Sequence, residues 1–112
     1  MSKRGDVEFI CDILEAVKRI ELYAGKCDYA KFLEDKMIQD AVVRNLEIIG
    51  EAAKNISDGA KEKYRNIEWK KLAGLRDKII HFYFGVNWDI VWDVIKNRLP
   101  ELKKQIEPLT TS

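Results

Sequence analysis

Hydrophobic residues recur along this chain three and four positions apart, which is the spacing of α-helices. The first predicted helix begins at Asp6, which we expect to be its N-cap, and ends near Ala24, before Gly25. Asp28 can then cap a new helix that begins at Tyr29. The apolar stripe of the first helix consists of Ile10, Ile13, Leu14, Val17 and Ile20.

A second long helix is predicted from about Glu34 to Ile56, without a break. Gly50 lies inside this helix, where a glycine costs roughly 1 kcal/mol against alanine. A glycine at such a position usually marks the close approach of another helix or another chain. We therefore expect Gly50 and its surroundings to form a dimer contact. The predicted stripe is Met37, Ala41, Val42, Leu46, Ile49, Ala53 and Ile56.

Three charged residues, Arg44, Glu47 and Glu51, share one side of the second long helix because they lie three and four positions apart. Two interpretations are open. They form a solvated ladder of salt bridges, or they line one wall of a polar cleft.

The second half of the chain also predicts helices. Ser57 to Gly59 ends the long helix and caps a short one that reaches Tyr64. A further helix is expected from Trp69 through His81, and a loop over residues 82–87. The last helix begins at Trp88, and Pro100 either kinks it or starts its continuation. No convincing period of two appears. The sequence predicts one all-α domain over residues 1–112, a bundle of four to five helices.

Composition restricts the class of protein. The chain has 112 residues, of which 35% are charged and 46% are hydrophobic, as expected for a soluble single domain. No apolar run approaches the roughly 20 residues of a membrane span, and the first residues do not resemble a secretory signal. We therefore expect a cytoplasmic protein without membrane contact.

The two cysteines do not predict a disulfide or a zinc site. In a mostly helical segment, the 16 residues from Cys11 to Cys27 span about 24 Å, beyond the ~7 Å limit for a disulfide. We expect both to be core or half-buried thiols.

Charge is divided unevenly between the two halves of the chain. Residues 1–58 have nine Lys/Arg against 12 Asp/Glu, whereas residues 59–112 have 11 Lys/Arg against seven Asp/Glu. The second half can therefore face an anionic partner.

The candidate chemistry lies in that basic half. His81 is the only histidine, with Arg76 five residues before it and Tyr83 two residues after it. In a straight helix, Arg76 and Tyr83 would share a face within about 20°, but His81 would lie roughly 140° from Arg76. Either the helix ends near His81, or another helix or subunit completes the site. Asp77 could contact His81 and raise its pKa, or could pair with Arg76 or Lys78.

These residues, with their flanks, resemble a known family. Arg76-x4-His81-x-Tyr83 is similar to the Arg-x4-His-x-Tyr motif of the HEPN superfamily, and specifically of the HepT-like toxins in HEPN/MNT toxin–antitoxin modules. Asp77 is the polar residue usual after the arginine. Residues 44–52, residues 67–69, and Trp92 with residues 99–102 also resemble blocks of that family. The resemblance covers nearly the whole chain.

The resemblance implies a homodimeric, HEPN-like helical fold and a metal-independent endoribonuclease that needs no cofactor. His81 would act as general base or acid on the ribose 2′-hydroxyl and the leaving oxygen, in a cleft between two subunits. Arg76 would hold the scissile phosphate. Tyr83 would be the residue that an MNT-type nucleotidyltransferase antitoxin modifies with AMP, which would repel the RNA substrate.

Other roles remain alternatives. Lys70, Lys71, Lys78 and Arg65 either contact the RNA backbone or are solvated. Trp69, Trp88 and Trp92 either stack on bases or belong to the core or the dimer interface. The competing function is a non-catalytic module that binds a nucleotide or docks a nucleotidyltransferase.

Overall fold

The computed structural model describes residues 5–81 and 85–110, with the backbone alone for His81, and these ranges are mostly helical. The predicted all-α class is confirmed. A short antiparallel strand pair, β1 (Ile80–His81) and β2 (Gly85–Val86), interrupts the helices. The helices are α1 (Asp6–Ala24), α2 (Tyr29–Glu34), α3 (Lys36–Lys54), α4 (Asp58–Lys63), α5 (Trp69–Ala73), α6 (Leu75–Ile79), α7 (Trp88–Asp93) and α8 (Leu99–Thr110), with a π-helical segment at Val94–Arg98.

The core is built around α1 and α3, which pack on each other. Helix α8 packs on α1, and α5 and α6 pack on α3. The predicted stripes supply most of the buried hydrophobic side chains of α1 and α3. Each fully buried aliphatic side chain stabilises the fold by about 1.5–3 kcal/mol. Two members of the predicted stripes are not buried: Met37 is 81% exposed, and Ala41 is half-buried. The side chains that are completely buried include Ile13, Val17 and Ile20 of α1 and Val42, Leu46 and Ile49 of α3.

The predicted unbroken helix over residues 34–56 is wrong at its start. Asp35 has an extended backbone (φ −103°, ψ 93°), and its carboxylate accepts a hydrogen bond from the Ile38 N–H at 3.0 Å. It therefore ends α2 and caps α3. Asp28 caps α2 as predicted, through the Lys31 N–H.

Asp6 has a different role from the predicted one. Gly5 is the N-cap of α1, and Asp6 is its first helical residue. The Asp6 carboxylate accepts hydrogen bonds from the Ser57 N–H at 2.8 Å and the Ser57 hydroxyl at 2.6 Å. The Ser57 hydroxyl also caps α4 by accepting from the Ala60 N–H. This joins the first turns of α1 and α4, and the hydrogen bonds from Ser57 lower the pKa of Asp6.

Cys11 also departs from expectation. It is exposed on α1, outside the stripe that faces α3, whereas Cys27 is half-buried as expected.

Pro100 starts the continuation of the last helical run. Proline has no N–H, and its ring crowds the carbonyl four residues earlier. Just before Pro100 the helix widens into a π-helical turn, in which the Leu99 N–H donates to the Val94 carbonyl, five residues back. The run thus continues into α8. Within the described ranges, no helix is both long and apolar enough to cross a membrane.

Candidate functional site

The segment that carries Arg76 and His81 changes from helix to strand between them. The predicted helix from Trp69 through His81 is two short helices, divided at Gly74, and the backbone is extended at Ile80 (φ −108°, ψ 118°). Arg76 therefore lies on α6 and His81 on β1. The angular separation expected in a straight helix does not apply.

Gly50 allows the first part of this segment, helix α5, to pack closely against α3. A Cβ atom at Gly50 would lie 3.2 Å from the backbone oxygen of Leu72 on α5, and Gly50 is buried. The close approach that the glycine predicts is real, but it is made within the chain. Contact with α5 thus accounts for the glycine, and the dimer contact expected around Gly50 stays a prediction.

Backbone hydrogen bonds hold together the strand pair that follows Arg76. Ile80 pairs with Val86 and His81 with Gly85, and the Asn87 N–H donates to the Ile79 carbonyl at 2.7 Å. Gly85 has φ 77°, a conformation that favours glycine. Tyr83 lies between the two strands in the sequence, outside the described residues.

Arg76 is tied to the long helix α3. Its Nε donates to Glu47 Oε2 at 3.2 Å, with the arginine side chain 64% exposed and the glutamate 31% exposed. In the described part of the chain, Arg44 and Glu51 make no ion pair. The salt-bridge ladder is thus not formed, and Glu47 instead reaches across to α6. The terminal amino groups of Arg76 make no hydrogen bond with the described residues, so they remain available to an anion.

The other predicted polar residues are exposed. Asp77 has no ion pair within residues 5–81 and 85–110, and the four-residue spacing to His81 is no longer a helical one. Lys70 and Lys78 are also exposed. Lys71 bonds to Glu68 at 2.6 Å, and this bond is the main reason that the pKa of Glu68 is lowered.

A groove of about 360 Å³ lies on another side of α6, between α5–α6 and the π segment with α8. Its floor is apolar, and Lys71, Lys78 and Arg98 lie at its rim with Glu68 and Glu101. Arg98 also approaches Glu68, at 3.9 Å, so acidic residues compensate part of the positive charge. The apolar residues that line the groove are Leu72, Leu75, Val94, Leu99 and Leu102.

The tryptophans belong to the packing of the domain. Trp69 is buried, and its Nε1 donates to the Tyr64 carbonyl at 3.1 Å. Trp88 and Trp92 are half-buried and pack on the Phe32 ring, with centroids 5.6 and 5.2 Å away. This cluster lies directly after β2 and connects the strand pair to α2.

The contact between Glu47 and Arg76 is the feature of the candidate site that the motif did not reveal. The sequence places Glu47 on one helical face with Arg44 and Glu51, but its partner is 29 residues away. No local pattern contains that pairing. Among the described side chains, no three His, Cys, Asp or Glu residues form a group that could hold a metal ion.

Comparison with known proteins gives consistent matches. A family model described as "Ribonuclease HepT-like" matches residues 13–109. A Methanocaldococcus jannaschii protein named "Putative RNase" is 44% identical over 109 residues, which covers 97% of this chain and 90% of the relative. A Thermococcus cleftensis protein named "Probable ribonuclease HepT" is 43% identical over 107 residues, covering 96% and 97%. No solved structure matches the chain.

Proposed function

The chain belongs to the HepT-like ribonuclease family, and from this premise we propose that it is a metal-independent endoribonuclease. The observation that carries the proposal is the exposed Arg76 guanidinium. It is fixed through Nε while its terminal amino groups stay free, five residues before the only histidine. A planar guanidinium with free donors suits a phosphate oxygen.

The reaction needs only groups that the chain and the RNA supply. His81 takes the proton of a ribose 2′-hydroxyl, and the 2′-oxygen forms a bond to phosphorus. The bond to the 5′-oxygen breaks, and that oxygen leaves with a proton, giving a 2′,3′-cyclic phosphate and a 5′-hydroxyl. Arg76 stabilises the charge that develops on the phosphate. We place this chemistry in a cleft between two subunits, so that a second His81 can supply the leaving proton.

We further propose that the enzyme is the toxin of a two-component module in the cytoplasm. Its antitoxin would be an MNT-type nucleotidyltransferase that attaches AMP to Tyr83. Tyr83 is seven residues after Arg76 in the sequence. The phosphate of the added AMP would bring negative charge to the proposed site and so oppose the binding of RNA.

Cleavage of single-stranded RNA in excess EDTA tests the ribonuclease proposal. We expect the wild-type protein to cut RNA and to spare DNA, which has no 2′-hydroxyl. His81→Ala and Arg76→Ala should each lower the rate by at least about 100-fold, the lower end for general acid–base catalysis. Lys104→Ala, at an exposed cation of α8 to which no role in RNA binding is assigned, is the control and should cut normally.

Circular dichroism of each variant shows whether the fold is retained. If unmodified wild-type protein cuts no RNA but binds a nucleotidyltransferase, the chain is a partner-binding module and the ribonuclease proposal is wrong.

A further inference from the structure

We propose that Glu47 is a positioning residue that orients Arg76 toward the scissile phosphate, an inference that rests on the proposed ribonuclease function. Glu47 Oε2 accepts a hydrogen bond from Arg76 Nε at 3.2 Å. Nε is the donor nearest to the side-chain stem, so this bond fixes the guanidinium plane and leaves the outer edge free. The glutamate itself does not touch the substrate.

The two residues differ in how firmly their backbones are held. Arg76 is on α6, a helix of five residues between Gly74 and the strand pair. Glu47 is on α3, a helix of 19 residues, directly after the fully buried Leu46. The bond therefore connects a long, flexible side chain on a short helix to one of the two long helices of the core. Without it, the 64% exposed guanidinium would sample many rotamers in water.

The ion pair between Glu47 and Arg76 contributes little to the stability of the fold. Ion pairs between exposed side chains contribute little to folding, because water screens the charges and both chains lose conformational freedom. A carboxylate beside the arginine also weakens the attraction of the site for RNA, which is an anion. What the pair supplies is orientation. Misplacing a group by about 1 Å can reduce the rate of reaction as much as 100-fold.

Three substitutions separate orientation from charge. Glu47→Gln removes the charge but keeps an oxygen at the same distance along the side chain, so we expect kcat within about threefold of wild type. Glu47→Asp keeps the charge but withdraws the oxygen by one methylene group. Glu47→Ala removes both. We expect kcat to fall about tenfold or more in the last two variants, because a misplaced guanidinium stabilises the transition state less well, with KM unchanged or lower.

Asp40→Ala is the matched control, since it removes an exposed carboxylate of the same helix that does not bond to Arg76. It should leave kcat unchanged, and thermal unfolding should show that every variant is folded. Wild-type kcat in Glu47→Ala overturns the proposal. A loss in Glu47→Gln equal to that in Glu47→Ala, with Glu47→Asp active, also overturns it, because charge would then decide.

Wild-type protein and His81→Ala are measured in the same assay. An inactive wild type overturns the proposed function, whereas an active wild type with insensitive Glu47 variants overturns only the role of Glu47.

Discussion

Our proposal gives each residue of the motif a separate task, and it assigns control of the activity to Tyr83. Its phenol is two positions beyond His81 in the sequence. If the antitoxin attaches AMP to this oxygen, removal of the oxygen leaves the ribonuclease intact but insensitive.

We predict that Tyr83→Phe will stop growth even when the nucleotidyltransferase is expressed, whereas the wild-type toxin is neutralised. Growth curves with and without the antitoxin measure this, with mass spectrometry of the toxin to detect the added AMP. Tyr64→Phe, at a half-buried tyrosine in the turn after α4, is the control and should be neutralised normally. Neutralisation of Tyr83→Phe without any modification would contradict the assignment.

Residue scale also shows what local sequence can reveal. Asp28 was predicted as a cap because an aspartate before a helical stripe is a local signal, and the structure confirms it. Asp6 gives the same signal, but its carboxylate bonds to Ser57, 51 positions away. The partner of Glu47 is equally remote. Tertiary hydrogen bonds of this kind have no signature in a single sequence.

At the scale of elements, the strand pair is the part of the site most sensitive to backbone conformation. Gly85 has φ 77°, and a side chain in this region costs about 1–2 kcal/mol. No heavy atom lies within 4 Å of a Cβ placed at Gly85, so a substitution there tests conformation and not crowding.

We predict that Gly85→Ala lowers the free energy of unfolding by about 1–2 kcal/mol and reduces RNA cleavage, because Gly85 pairs with the backbone of His81. Urea denaturation and the cleavage assay measure the two effects. Gly59→Ala is the control: Gly59 is exposed in α4 and has room for a Cβ, so alanine should stabilise by roughly 0.5–1 kcal/mol. Unchanged stability in Gly85→Ala would contradict the argument.

The elements also differ in how well the sequence predicts them. Helices α1 and α3 each bury a stripe with a period of 3.6 residues, and the hydrophobic pattern predicts most of its apolar members. It misses Ala16, Ala24 and Ala52 and wrongly includes Met37.

The single helix that the sequence predicts from Trp69 through His81 is wrong, because α5 and α6 have five residues each and the strands have two. Periodicity cannot appear in so few positions. Packing on α3 at Gly50 and the hydrogen bond from Asn87 to Ile79 hold this segment instead.

At the scale of the whole molecule, one hydrogen-bonded junction connects the beginning of the described chain to its middle. Ser57 donates twice to the Asp6 carboxylate and thereby lowers its pKa. A carboxyl group with a lowered pKa in the folded state contributes stability above its unfolded pKa, about 3.9. That contribution is lost as the pH falls through the folded pKa.

We therefore predict that Asp6→Asn is less stable than wild type at pH 7, by roughly 0.5–1 kcal/mol because the junction is exposed to water. The difference should shrink as the pH falls below about 3.9. Urea denaturation over a pH series measures it. Asp40→Asn, at an exposed carboxylate without an ion pair among the described residues, should show no such trend. A difference that is independent of pH would contradict the prediction.

The change from helix to strand at Ile80 restricts how this chain can vary in length. One extra residue within α6 would rotate Arg76 by about 100° relative to the strands and carry it away from Glu47. One extra residue in β1 would reverse the face of the strand on which each following side chain lies. The spacing of five residues between Arg76 and His81 therefore has to be kept. Single-residue insertions or deletions there should be far less tolerated than in the turn over residues 25–28.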